Sequence, residues 1–199
     1  MTKIKMCGLM RLADIEAVCT VRPDYAGSIL TAGFRRSVTR SQYLEMNRML
    51  ADAGIKRVGV FVNEPPESAA VFAEMLDLIQ LHGDEDAAYI AKLRTFTDAE
   101  IIKMYRLTAP EDAEQVNRST ADYVLLDSGT GTGKVFDWSL LSGITRPYFL
   151  AGGLSPENVG EAVTALHPYA VDVSSGIETD GRKDPEKIRR FAEIVRQTE

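Results

Sequence analysis

Short apolar or β-branched runs recur along the chain, each followed by a stretch with helical spacing. The runs fall at residues 4–7, 26–30, 57–62, 78–81, 101–105, 123–126, 148–151 and 170–173. Their length and apolar, β-branched character predict strands. Helical stretches are expected between them. One covers 14–19, and another covers 41–53, with Leu44, Met46, Met49 and Leu50 apolar and Gly54 as its stop. Prolines open 65–76 and acidic residues open 84–93. The stretches 109–118 and 136–141 are shorter and more polar. Ser155 is the expected N-cap of 155–166, with Pro156 behind it, and Asp184 and Pro185 repeat that arrangement for 184–195.

Strands that alternate with helices pair in parallel through crossovers. Eight such units in 199 residues predict an α/β fold, a single (β/α)8 TIM barrel spanning residues 1–199 as one domain. The alternative is an open doubly wound sheet, which more often has fewer strands.

Composition narrows the function without redirecting the fold. Hydrophobic residues make up 45% and charged residues 26%, an ordinary globular balance. A net charge of −6 argues against a nonspecific nucleic-acid binder but permits one small anionic ligand held by local positive groups. No apolar run approaches the roughly 20 residues of a membrane span. The cysteines, Cys7 and Cys19, cannot build a disulfide framework, so a reduced, cytoplasmic setting is expected.

In a (β/α)8 barrel the active site lies where the strands end. The segments found there are Cys7-Gly8, Gly33-Phe34-Arg35-Arg36, Asn63-Glu64, His82-Gly83, Asp127-Ser128-Gly129, Gly152-Gly153-Leu154 and Ser174-Ser175-Gly176. Gly152 and Gly153 let backbone amides approach a ligand, and Ser174, Ser175 and Gly176 add hydroxyls and more amides. Either loop alone reads as a plain turn. Together, after strands seven and eight, they predict a phosphate site and hence a small phosphorylated substrate. Gly129-Thr130-Gly131-Thr132-Gly133-Lys134 lacks the glycine spacing and the Ser or Thr of a nucleotide cradle. It reads as a loop that closes over substrate or merely covers the surface.

Cys7 and Asp127 are the candidate acid–base pair. A thiol can act as a base beside positive charge, and a carboxyl in a water-poor site can donate a proton. The plain alternative for Cys7 is a small buried hydrophobe. Asp127 ends an apolar strand, where a carboxylate needs a cap or a function. Cys19 is expected in the core. His82 can orient a substrate or simply occupy a turn, and His167 before Pro168 is expected to be structural. Neither histidine sits in a metal-binding pattern. Arg36 can grip a substrate carboxylate bidentately, Arg35 can do the same, and either can be a solvated loop charge.

Several segments together resemble the phosphoribosylanthranilate isomerase family of tryptophan biosynthesis, nearly end to end. They are Ile4-Lys5-Met6-Cys7-Gly8, Gly59-Val60-Phe61-Val62-Asn63, Ile79-Gln80-Leu81-His82-Gly83, Leu126-Asp127-Ser128, Gly131 to Trp138, Leu150-Ala151-Gly152-Gly153-Leu154 with Asn158-Val159, and Asp172 to Glu178 with Gly181 and Lys183-Asp184. The resemblance implies an Amadori rearrangement of N-(5-phosphoribosyl)anthranilate, an aldose–ketose isomerisation that needs no cofactor. It makes Asp127 the general acid and Cys7 the general base, matches Arg36 to the carboxylate of the substrate, and matches the last two loops to its phosphate. Phe34-Arg35-Arg36-Ser37-Val38 departs from the family's usual Ser-Pro-Arg. The histidine-pathway aminoaldose isomerases would carry an aspartate in place of Cys7, and a ribulose-phosphate epimerase would need metal ligands. A barrel that only binds a phosphorylated metabolite is a further alternative, against which the presence of both Cys7 and Asp127 weighs.

Overall fold

The structure, a computed structural model, describes residues 1–127 and 138–198. Eight parallel strands close into a barrel in chain order: β1 (Lys3–Met6), β2 (Tyr25–Ile29), β3 (Lys56–Phe61), β4 (Leu78–Leu81), β5 (Glu100–Arg106), β6 (Tyr123–Asp127), β7 (Tyr148–Leu150) and β8 (Ala170–Val173). The ring is completed by β8 against β1, with Lys5 opposite Asp172 and Met6 opposite Val173. Each strand lies within two residues of the run that predicted it. The open-sheet alternative is therefore excluded.

Side-chain alternation splits the core in two. Tyr25, Val58, Leu78, Ile102, Leu125, Phe149 and Ala170 fill the barrel interior toward the strand starts. Two or four residues further along those same interior rows lie His82, Asp127 and Asp172. The other face of each strand, including Ile4, Met6, Ile79, Leu81 and Val171, packs outward against the helices. A layer of polar side chains floors the barrel. Lys3 Nζ donates to the Tyr169 hydroxyl at 2.9 Å, and Tyr169 stacks on Tyr123 with ring centroids 5.3 Å apart.

The helices are α1 (Leu12–Val21), α2 (Arg40–Asp52), α3 (Pro66–Ala70), α4 (Ala87–Leu93), α5 (Asp112–Asn117), α6 (Val159–Leu166) and α7 (Pro185–Gln197). Thr39 caps α2 in a reciprocal box with Gln42, and Asp184 caps α7 through the amides of Glu186 and Lys187. Gly54, with φ +70, follows the end of α2 as expected. The apolar stripe of α7, Ile188, Phe191, Ala192 and Val195, is buried.

Four expected helices are shorter than the sequence pattern, the stretch 109–118 contracting to α5 at Asp112–Asn117. Residues 65–76 break into α3 and a 3-10 turn at Ala73–Met75. Helix α4 starts at Ala87 because Glu85 is committed elsewhere, accepting the amides of Asn63 at 2.7 Å and Gly83 at 2.9 Å. Ser155 does not cap α6. Its amide donates to Asn158 Oδ1 at 2.8 Å and its carbonyl accepts from Asn158 N at 3.2 Å, making a turn that delays the helix to Val159. Of the stretch 136–141, the described part is a 3-10 helix at Trp138–Gly143. His167 closes α6 in the left-handed region at φ 44, a structural role. Cys19 is half-buried and packs against the core. Past β8 a small hairpin pairs β9 (Glu178–Thr179) with β10 (Arg182–Lys183), and its side chains reach Arg36 and the Ser174 carbonyl. Among the described residues no helix is long and apolar enough to cross a membrane.

Candidate active site

Cys7 follows β1, and its amide donates to Val173 O at 2.8 Å, which anchors it beside the end of β8. The thiol is buried. It faces Gly27 on β2, where a Cβ would come within 2.9 Å of Cys7 Sγ and 3.4 Å of Lys5 Nζ. The missing side chain thus makes room for a sulfur and an ammonium side by side. Lys5 is fully buried and pairs with Asp172 Oδ1 at 2.9 Å. Burial pushes the Lys5 ammonium toward neutrality, but the charge of Asp172 and contact with Cys7 outweigh it and hold the pKa above the ordinary lysine value.

His82 continues the interior row of β4. Its Nδ1 lies 3.0 Å from Gln80 Nε2, so a donating Gln80 amide places the ring proton on Nε2. Burial lowers the His82 pKa; Asp127 and Asp172 oppose this, and Lys5 and Lys103 reinforce it. The imidazole is neutral at neutral pH. Alternation along β1, β6 and β8 puts Lys5, Asp127 and Asp172 on the same interior rows that His82 continues. Asp127 ends β6 and is half-buried.

The two last loops form one unit. Gly152 and Gly153 both have positive φ, +86 and +68, a backbone path open to glycine. A Cβ on Gly176 would lie 1.8 Å from Leu154 O, so the loop after β8 presses directly on the loop after β7. Ser174 and Ser175 begin the 3-10 turn Ser175–Ile177, and Ser174 O accepts from Lys183 Nζ at 2.7 Å. A cation therefore backs the loop whose amides and hydroxyls were expected to meet phosphate.

Both candidate arginines meet one carboxylate of this chain. Arg36 grips Glu178 bidentately, Nε to Oε1 at 2.7 Å and Nη2 to Oε2 at 3.0 Å. Arg35 Nη2 reaches Glu178 Oε2 at 3.0 Å and Lys183 Nζ reaches Oε1 at 3.0 Å. Burial pushes the Glu178 carboxyl up, but hydrogen bonds from Arg36 and Lys183 outweigh it and hold it at about 2. Arg36 is the more enclosed of the two, with its side chain 20% exposed against 58% for Arg35. It crosses Gly8, where a Cβ would come within 2.7 Å of Arg36 Cδ, and so lies next to Cys7.

A cavity of about 940 Å³ opens beside His82 and runs outward between α4 and α5, past Lys103 and Arg106. It reaches neither Cys7 nor the loops after β7 and β8, so it adjoins the candidate centre and does not contain it.

Lys5, Asp172, Glu178 and Lys183 were not assigned roles from sequence. Lys5 and Asp172 had a readable signal: each is a charge flanked on both sides by apolar residues within a strand, two residues before a proposed site residue. Glu178 and Lys183 had no local signal, since the hairpin that joins them is visible only in three dimensions. The segment from Ser128 through Lys134 to Asp137 lies outside the described residues.

Comparison with known proteins bears on this geometry. Residues 4–194 match the family model described as N-(5'-phosphoribosyl)anthranilate (PRA) isomerase. The chain is 43% identical to N-(5'-phosphoribosyl)anthranilate isomerase of Thermoanaerobacter sp. (strain X514), over 98% of each chain. It is 40% identical to the isomerase of Endomicrobium trichonymphae, over 98% of this chain and 99% of that one. Among solved structures, phosphoribosyl anthranilate isomerase from Thermotoga maritima superposes with a TM-score of 0.88 at 32% identity, covering 99% of this chain and 100% of that one. A phosphoribosyl anthranilate isomerase in complex with reduced 1-(o-carboxyphenylamino)-1-deoxyribulose 5-phosphate gives 0.85 at 32% identity, with the same coverage.

Proposed function

The chain belongs to the N-(5'-phosphoribosyl)anthranilate isomerase family, enzymes of tryptophan biosynthesis, and from that premise we propose that Asp127 and Cys7 are its acid and base. The reaction converts N-(5'-phosphoribosyl)anthranilate to 1-(2-carboxyphenylamino)-1-deoxyribulose 5-phosphate. Asp127 gives its proton to the furanose ring oxygen. The C1–O bond breaks as the anilino nitrogen lone pair forms an iminium. Cys7 takes the C2 proton, and the C2–H electron pair becomes the C1=C2 bond of an enolamine while the nitrogen regains its lone pair. Tautomerisation delivers the proton held by Cys7 to C1 and passes the C2 hydroxyl proton to Asp127, so both protein groups return to their starting states. The iminium is the electron sink, which is why the scheme closes without a cofactor.

The observation that carries this reading is the Cys7–Lys5–Asp172 cluster at the mouth of the barrel. A buried ammonium, kept charged by Asp172, stands beside the sulfur that must accept the proton. Asp127 and His82 fall on interior rows of the same barrel. In this reading the substrate phosphate sits on the amides of Gly152, Gly153 and Gly176 and the hydroxyls of Ser174 and Ser175, backed by Lys183. Arg36 meets the anthranilate carboxylate, and His82 lines the ribose side.

Replacing either proton-transfer group tests the assignment. Cys7→Ala and Asp127→Asn are each expected to lower kcat by at least ~100-fold, the scale of losing a general acid or base. Turnover is followed by the fluorescence of freshly prepared phosphoribosylanthranilate. A kcat within a few-fold of the unsubstituted enzyme in either variant would remove that residue from the mechanism.

A further inference from the structure

Glu178 is a buried carboxylate on which three cations converge, and the acid–base scheme gives it no task. Its side chain is only 7% exposed, and its four side-chain hydrogen bonds come from Arg36, Arg35 and Lys183 at 2.7 to 3.0 Å. The main chain of Glu178 is held as well, its carbonyl accepting from Lys187 Nζ on α7 at 2.7 Å. Glu178 therefore does not follow Arg36; it is fixed from behind by the hairpin and α7.

A guanidinium offers two bidentate edges, Nε with one Nη and the pair of Nη groups. Glu178 occupies the Nε–Nη2 edge of Arg36. The edge that can still face a second carboxylate in the forked geometry is the Nη pair. Gly8 supplies the path: it has φ +71, and Arg36 Cδ lies where its Cβ would be. Ser174 Oγ lies 2.8 Å from the same point, so Arg36 threads between the Cys7 loop and the start of the phosphate loop.

We propose that Glu178 is a positioning residue for substrate recognition, locking Arg36 by its inner edge so that its outer edge presents a preformed fork to the anthranilate carboxylate. The proposal rests on the reading of Arg36 as the carboxylate clamp. Fixing a long side chain beforehand removes an ordering cost that would otherwise be met on binding. Arg35, more exposed and bound to the outer oxygen of Glu178, braces the lock from the solvent side.

The test compares two substrates, N-(5-phosphoribosyl)anthranilate and its N-(5-phosphoribosyl)aniline counterpart, which lacks the carboxylate. The unsubstituted enzyme is expected to prefer the first in kcat/KM. Glu178→Gln keeps the shape but loosens the lock. Its KM for the carboxylated substrate is expected to rise about tenfold with kcat changed less than threefold, as for loss of uniform binding. Its kinetics on the aniline substrate should stay within twofold, collapsing the preference. Glu178→Asp, which keeps the charge but withdraws it by one methylene, is expected to fall between, and thermal melting verifies that each variant folds. Equal losses on both substrates in Glu178→Asp overturn the proposal, because a structural defect is blind to the missing carboxylate. A lower KM for the carboxylated substrate in Glu178→Gln also overturns it, because Glu178 would then be a competitor for the fork. If the unsubstituted enzyme shows no preference, the clamp reading itself fails, and the proposal falls with it.

Discussion

Asp172→Asn isolates the buried charge pair beside Cys7. The partners are 2.9 Å apart, with Lys5 fully buried and Asp172 side chain 9% exposed. Two unit charges at that distance attract by about 6 kcal/mol at an effective dielectric of 20. The loss is capped, because Lys5 can shed its proton instead of standing unpaired. Starting from an ordinary pKa near 10.4, neutralising it at pH 7 costs about 5 kcal/mol. Asparagine keeps an acceptor, so a loss of about 3–5 kcal/mol is expected, the range for breaking a buried pair from one side. The pH dependence carries the sharper signature. With Asp172 present, the folded pKa of Lys5 is raised, so the contribution of the pair is fully present below the unfolded value and is lost only as pH rises through the higher folded one. In the variant, Lys5 becomes the neutral partner and the unfolded chain binds one proton more. Stability then rises with pH, by about 1.4 kcal/mol per unit between pH 7 and 9 relative to the unsubstituted protein. Urea denaturation followed by far-ultraviolet circular dichroism at pH 7, 8 and 9 measures both quantities. A constant offset below about 1 kcal/mol at all three values would show that Lys5 does not depend on Asp172 for its charge.

Two further outcomes follow from the same structure. Gly176→Ala puts a methyl 1.8 Å from Leu154 O and must part the loops after β7 and β8; the expected results are a KM raised at least about tenfold and a loss of about 1–3 kcal/mol, and an unchanged KM in steady-state assays would separate these loops from phosphate binding. The Glu178 pKa is depressed to about 2, so its stabilisation is present above the unfolded value of 4.5 and is lost as pH falls toward 2; acid titration of Glu178→Gln by circular dichroism should show a shallower decline in that window than the unsubstituted protein, and identical slopes would contradict it.

The strands were legible because each is a short apolar run with small or charged residues just past its end. The barrel rule that sites lie where the strands end then singled out Cys7, His82 and Asp127. The helix starts were less legible. Ser155 and Glu85 carry the right chemistry for a helix beginning, but each is spent on loop hydrogen bonds at the barrel mouth. Periodicity cannot see such competition. The expectation for Arg36 was formed from its place after β2, and the structure adds that its fork is already half engaged. That contact spans 142 residues of sequence and leaves no trace in local pattern. Lys5 illustrates a third case. It was read as part of a strand motif, and only the ring closure of β1 on β8 gives it a partner and a place beside the thiol.

That closure has a consequence for a chain being made. Lys3 N donates to Tyr169 O at 3.0 Å, Thr2 Oγ1 to Pro168 O at 3.1 Å and Arg196 Nη2 to Arg22 O at 3.0 Å, bonds between residues 166 to 174 positions apart. None can form until residues 169, 168 and 196 respectively have left the ribosome. Until then β1 exposes an unpaired edge and Lys5 has no counter-ion, a slow, long-range arrangement to complete. The strand that seals the ring also carries Asp172 and leads into the serine loop. The pairing that closes the barrel is therefore also the one that brings Asp172 to Lys5 and the serine loop to Cys7.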